Sequence, residues 1–345
     1  MQARAPCWWR RRERARRPVC RWRCWTCLGE AVGETVGLRV RFESRIGAGT
    51  RIEVVTEGVF LRMILDDPEL AGIAAVLFDE FHERSLDADM SLALALDAQA
   101  GLREDLRLLV MSATLDGARV AALMDSAPVI ESQGRAFAVE TRHLPRDPNR
   151  RLEEDMVAAV MTALRAEPGS VLVFLPGQGE IRRVEEVLRG RITDDSIDIA
   201  PLYGALDFAA QDMAIRPSPP GRRKVVLATS IAETSLTIEG VRVVIDSGLA
   251  RVPVYEPDVG VTRLETVRVS RAAADQRRGR AGRTQAGICY RLWPEAATGA
   301  MEAFAKPEIL SADLAPMLLD CAAWGLRDPS ALRFLDPPPA PALRE

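Results

Sequence analysis

Lysine and histidine are nearly missing from this chain. Of its 345 residues only Lys224 and Lys306 are lysine and only His82 and His143 are histidine, against 44 arginines. Val225 follows Lys224 and Pro307 follows Lys306, so the phosphate-cradling loop G-x-x-x-x-G-K-[ST] does not occur. Long apolar runs are missing too. The longest, Leu70 to Phe78, is about nine residues, far short of the roughly 20 that span a bilayer. No apolar segment precedes a small-residue cleavage site near Met1, which argues against a secretory signal. Beyond residue 27 cysteine is reduced to Cys289 and Cys321, as in a reducing cytoplasm, and a cytoplasmic protein is expected. What is present is an ordinary folded composition, 48% hydrophobic and 28% charged, long enough for two or three domains.

Charge is unevenly spread. Residues 1–27 hold nine Arg and one acid, Glu13, so the rest of the chain is strongly acidic although the total is only −3. The same segment holds Cys7, Cys20, Cys24 and Cys27 and four of the six tryptophans. Three readings compete. A basic arm would place Arg on phosphates and Trp on bases. A knuckle of Cys20, Cys24 and Cys27 offers only three metal ligands and no nearby His. GC-rich coding DNA translated out of frame also gives this composition, and it is the favoured reading.

From residue 28 the pattern is regular. Expected strands are Arg51–Thr56, Ala71–Phe78, Leu106–Met111, Pro128–Glu131 and Ala138–Arg142, with helices over Val59–Asp66 and Leu86–Gln99. The runs ending at Phe78 and Met111 are continuously apolar, as in strands buried on both faces. Leu144–Arg150, with two prolines, reads as a linker. Alternation then resumes: helices near 152–166 and 179–189, strands at Ser170–Leu175, Ile197–Leu202, Arg223–Ala228 and Val241–Ile245, and a long hairpin within 252–270. Strands alternating with helices imply βαβ units and a parallel sheet. Residues 28–143 and 151–295 thus form two α/β domains, and 300–345 begin a third.

Four groups carry chemistry. Asp79-Glu80-Phe81-His82 follows a buried strand, where open parallel sheets bind ligands. One carboxylate there can hold Mg²⁺ while the other polarises a water; a solvated acidic loop is the plainer alternative. Ser112-Ala113-Thr114 follows the next strand and could equally cap a helix. Thr229 to Thr237 places hydroxyls at a strand-to-helix turn suited to a phosphate, or again to a cap. In Gln276-Arg277-Arg278-Gly279-Arg280-Ala281-Gly282-Arg283, arginines crowd one helical face, which is poorly motivated unless an anion sits there.

In this order and spacing DEFH, SAT, TSIAETSLTI and QRRGRAGR resemble the DEAH-box branch of the superfamily 2 helicases. The runs Val36–Met63 and Phe174–Ile181 are similar to its bacterial HrpB-type group. The resemblance covers about residues 28–345. It implies two tandem RecA-like parallel-sheet domains, the first incomplete, followed by the start of a winged-helix domain at Pro307–Leu332. It also implies ATP and Mg²⁺ as cofactors, single-stranded RNA or DNA as partner, and no membrane. Residue by residue, Asp79 resembles the Mg²⁺-organising acid and Glu80 the general base. His82 and Ser112 resemble residues that couple the nucleotide site to the strand-binding face. Gln276 looks like the water-positioning residue, and Arg280 and Arg283 like the γ-phosphate fingers. Thr237 and Gly279 fall at nucleotide-contacting positions. Thr56, Gly177 and Thr229 correspond to positions on the nucleic-acid backbone, and hairpin 252–270 to a strand-separating element. Phe81 stands where the family usually has Ala. The larger departure is the missing phosphate loop, which the family would carry upstream of Thr56, together with the first strand of the first sheet. A chain lacking both is expected to hydrolyse little ATP.

Overall fold

A computed structural model describes residues 28–113, 117–132, 137–233 and 238–343. The readings of residues 1–27, Thr114 and Thr237 lie outside it.

The first unit opens on a three-stranded sheet. Here β1 (Val36–Val40) pairs antiparallel with β2 (Glu43–Arg45) and parallel with β3 (Ile52–Val55). Helix α1 (Glu57–Asp66) starts at Thr56 and buries Phe60, Leu61 and Ile64 on one face. Next comes a two-stranded parallel sheet of β4 (Ala75–Phe78) and β5 (Arg107–Val110), joined through α2 (Leu86–Gly101). Helix α3 (Gly117–Leu123) follows.

Three expectations for this unit are corrected. The strand thought to begin at Ala71 begins at Ala75, because Leu70 (φ 46°) and Gly72 (φ 79°) form a turn first. Neither β4 nor β5 is buried on both faces: in β4 only Val76 and Phe78 are buried, and in β5 Leu109 is 48% exposed. Among the described residues β5 has a strand on one side only. Pro128–Glu131 forms no strand, and Ile130 is 88% exposed.

The second unit holds one six-stranded parallel sheet. Its strands are β6 (Val139–His143), β7 (Ser170–Phe174), β8 (Ile197–Leu202), β9 (Arg223–Ala228), β10 (Val241–Asp246) and, near the end, β13 (Gly287–Arg291). Their order is β6-β13-β10-β7-β9-β8. Strand β6, assigned above to the first domain, pairs with β13 from Val139↔Gly287 to His143↔Arg291, so the second unit begins before the 144–150 linker. Helices α4 (Leu152–Ala166), α5 (Gln178–Arg191) and α6 (Phe208–Ile215) cross between strands. Alternation along β7 shows how both faces are filled: Val171 and Val173 face one cluster, Leu172 and Phe174 the other.

After β10, β11 (Leu249–Glu256) and β12 (Val261–Arg268) form the expected hairpin, with Val261 and Leu264 exposed on β12. Helix α7 (Arg271–Gly279), capped by Ser270, passes into a 3₁₀ turn at Arg280–Gly282 before β13. Beyond α8 (Glu295–Gly299) the chain returns to the first unit. There Ile309, Leu314, Met317 and Cys321, the last two on α9 (Ala315–Ala323), share a core with α1 and α2.

Candidate active site

The acid loop leaves β4 at its C-terminal end, and the backbone there is bent hard. Glu80 (φ 51°) and Arg84 (φ 49°) both adopt the left-handed region and bracket the 3₁₀ turn Phe81–Glu83. Two non-glycine residues in that region within five positions are costly, about 1–3 kcal/mol each, and persist only where the surroundings enforce them. Those surroundings are visible. Phe81 is buried in the core under the Arg84 guanidinium, its N–H donates to Met111 O at 3.0 Å, and Asp79 Oδ1 accepts from the Glu80 N–H at 2.9 Å.

The loop's charges are tuned by this packing. Burial, then the neighbouring Asp79 and Glu83, push the Glu80 carboxyl up to about 7, against the pull of Arg280 and Arg283. Burial also raises Asp79, partly offset by its bond from the Glu80 N–H, with Glu83 adding to the rise. His82 joins two of the predicted groups: its Nε2 lies 3.3 Å from Glu80 Oε2, and its Nδ1 accepts the Ala113 N–H at 3.2 Å. A link thus runs from the carboxyl to the residue after Ser112, which is itself exposed at the end of β5.

Across from the loop stands the arginine motif. Gln276 is half-buried on α7, Arg280 is buried and Arg283 is exposed, so the two arginines do not share one environment. Arg280 Nε donates to Glu233 O at 2.8 Å, and Nη2 donates to the same oxygen. Burial, and next the like charge of Arg283, pull Arg280 down to about 9. Gly282 has no room for a side chain: a Cβ would lie 2.7 Å from Phe137 O and from Val139 Cγ2, where β6 enters the sheet. Gly279 differs, since it has helical backbone and nothing within 4 Å of a Cβ position.

The sequence reading missed the residue that anchors this motif. Arg277 is 1% exposed, stacks on Phe174 at 4.9 Å, and donates to Asp246 Oδ1 (2.7 Å), Glu233 Oε1 (3.3 Å) and Leu249 O (3.2 Å). These carboxylates raise its pKa despite burial, while Glu233 is itself raised by burial. Asp246 ends β10 as Asp79 follows β4. An acid closing an apolar run was the available signal.

Thr56, Gly177 and Thr229 each follow a strand and open a helix or 3₁₀ turn. Gly177 is buried, and a Cβ there would lie 2.7 Å from Arg251 Nη1. Gly177 and Thr229 lie at the strand ends that open parallel sheets use for ligands, while Thr56 follows β3 in the mixed three-stranded sheet.

Two α/β units, with an acid loop on one coupled electrostatically to arginines on the other, resemble the core of a superfamily 2 helicase. The comparisons agree: residues 154–285 match the helicase conserved C-terminal domain. The chain is similar to the DEAH-box branch of that superfamily and, within it, to the HrpB-type group. It is 52% identical over 90% of its length to the ATP-dependent RNA helicase HrpB of Escherichia coli, of which it covers 38%. It is 38% identical over 91% of its length to the pre-mRNA-splicing factor ATP-dependent RNA helicase prp22 of Schizosaccharomyces pombe, of which it covers 28%. A crystal structure of the E. coli DEAH/RHA helicase HrpB superposes with a TM-score of 0.91 at 48% identity, covering 99% of this chain and 44% of that one. The chain therefore spans less than half the length of these relatives.

Proposed function

We propose that this chain carries the acid loop and arginine motif of an ATP-dependent RNA helicase, in which hydrolysis between two RecA-like units drives movement along a single strand. The observation that carries the reading is Glu80. Its carboxyl is held near neutrality while Arg280 and Arg283 of the opposite unit act on it across the cleft. A base poised near the working pH is what general-base catalysis requires. In this reading Glu80 takes the proton of the attacking water, Gln276 orients that water, and Arg280 and Arg283 meet the charge developing on the γ-phosphate. His82 and Ser112 relay the site's state, Thr237 and Gly279 approach the nucleotide, and Thr56, Gly177 and Thr229 hold the strand's phosphates. The open surface at Gly279 supports its part, because a glycine on a helix costs about 1 kcal/mol and nothing local demands one. The partner is single-stranded nucleic acid, and the names of both relatives favour RNA over DNA. Residues 300–345 open a winged-helix unit, and the setting is the cytoplasm.

Mg²⁺ suits the donor set. Among the described residues no three His, Cys, Asp or Glu side chains converge. The acid loop instead offers Asp79 and Glu80, and Mg²⁺ takes one or two carboxylates and completes its shell with phosphate and water. Asp79, whose ionised form burial disfavours, would hold it, and the bound ion would neutralise charge on the phosphates.

The nucleotide fits less well. Neither Lys224 nor Lys306 lies in a glycine-rich loop, so nothing in this sequence supplies the lysine of a β/γ-phosphate cradle. That favours a second reading for the polypeptide as written, a strand binder with little hydrolysis. Phosphate release with and without single-stranded RNA separates the two. Background release, together with RNA binding that weakens steeply with salt and ignores base sequence, is expected. RNA-stimulated release that vanishes in Glu80→Gln would overturn the second reading, and absence of salt-sensitive RNA binding would count against both.

A further inference from the structure

The C-terminal tail shares a hydrophobic core with Phe81 of the acid loop and makes polar contact with the loop at Arg84. This residue ends the loop in the left-handed conformation, and its guanidinium is buried although arginine ordinarily reaches water. Its partners come from two parts of the chain. Asp89 on α2 receives Nε at 2.9 Å and Nη2 at 3.0 Å, while Asp336, about 250 residues away, receives Nη1 at 2.6 Å. Arg84 O accepts the Glu308 N–H at 3.0 Å, and Glu308 Oε2 in turn accepts the Leu86 N–H at 3.1 Å at the start of α2. Arg119 holds Asp336 from the other side, through Oδ1 at 2.9 Å and the Leu335 carbonyl at 2.8 Å.

We infer that Asp336 is a positioning residue for Glu80: by fixing Arg84, it makes the catalytic set of the acid loop depend on the tail being docked. A three-residue turn between two left-handed residues has no reason of its own to stay bent. Its internal bonds are few, Glu83 N–H to Glu80 O at 2.9 Å and Arg84 N–H to Phe81 O at 3.1 Å. The Glu83 N–H bond to Glu80 O ties the two ends together, so a shift at Arg84 reaches Glu80, four residues away, against the hold of buried Phe81. A salt bridge on an exposed surface could not do this, but Arg84 is 6% exposed at its side chain and Asp336 23%. Tail docking has its own support in Ile309, Leu314, Met317 and Cys321, so the link can be cut without undocking the tail.

The inference rests on the reading of Glu80 as the base, but its test does not use hydrolysis, so the two can fail separately. Amide hydrogen exchange on the full chain would compare Asp336→Asn, Asp336→Glu and, as control, Arg333→Ala. The control cuts another tail pair, Arg333 to Asp125 at 2.7 Å, both of whose residues lie outside the acid loop. Asp336→Asn should speed exchange at Glu83 and Arg84 about tenfold or more, the size of losing a hydrogen bond to a charged group. The amides of α9 should keep their protection. The His82 ring resonance, easily assigned with only His143 beside it, should shift in Asp336→Asn and return towards its original position in Asp336→Glu. Loop amides and His82 unchanged in Asp336→Asn would overturn the inference. So would equal acceleration of loop and α9, which marks plain undocking, or an equal response to Arg333→Ala.

Discussion

The two units solve the same packing problem with unequal means. In the second, six parallel strands lie between two apolar clusters, and every residue of β7 and β13 is buried. In the first, among the described residues, β4 and β5 pair alone, and Leu109 is about half exposed to solvent. Its core is built from α1, α2 and the returning tail instead. A central strand surrounded by others needs little help, whereas a two-stranded sheet is marginal unless something packs on it. The first unit thus depends on residues more than 200 positions away, and the acid loop sits on that dependent unit.

Mutations should break this comparison unevenly. The largest effect is expected in the better-built unit. Arg277→Ala strips the buried partner from Asp246 and Glu233 and should cost about 3–5 kcal/mol, read from residue-resolved exchange in urea over β7 and β10. Next is Met317→Ala in α9. Deleting this side chain, 2% exposed, should destabilise β4, β5 and α2 by about 2–5 kcal/mol and leave the second sheet unmoved. An equal loss in both sheets would show that the tail supports the whole molecule rather than one unit.

The acid loop adds a pH dependence confined to the first unit. A carboxyl raised from 4.5 to about 7 on folding binds its proton more tightly in the folded state. Its contribution to stability is present below about 4.5 and is lost as pH rises towards 7. Glu80→Gln should therefore leave stability nearly unchanged at pH 5 and raise that of the first unit at pH 8, in metal-free buffer. A gain of equal size at both pH values would contradict the origin assigned to the shift. The smallest effect belongs to the exposed pair Arg222–Asp198, both about 40% exposed, where Arg222→Ala should leave stability nearly unchanged in a urea melt.

The same inequality decides what could be read in advance. Strands β7 to β10 were legible because they are apolar runs with clear breaks, and burial in a full sheet rewards such runs; the exposed hairpin was legible from two β-like runs around Pro257-Asp258-Val259-Gly260. β13 was missed although all five residues are buried, since Arg291, paired with Asp275, makes its end look polar. β1 and β2 went unnoticed because Arg39, Glu43 and Arg45 interrupt them, and their ion pairs form only after folding. β6 was found but given to the wrong sheet: its partner lies about 150 residues on, which periodicity cannot reveal. Pro128–Glu131 had strand-like composition and no strand to pair with. At the site, motif order located the acid loop and the arginines. It did not distinguish Arg277, which holds the site together, from Arg280 beside it. Nor could it show that the tail reaches Arg84, because that contact exists only in three dimensions.

The most direct test of this account is amide exchange of the intact chain, comparing β4 and β5 with β7 and β10 under one condition. The account predicts that Val76, Leu77, Leu108 and Leu109 exchange markedly faster than Leu172, Val173, Val244 and Ile245. Equal protection in the two sheets would contradict it, for it would mean that the first unit is as complete as the second.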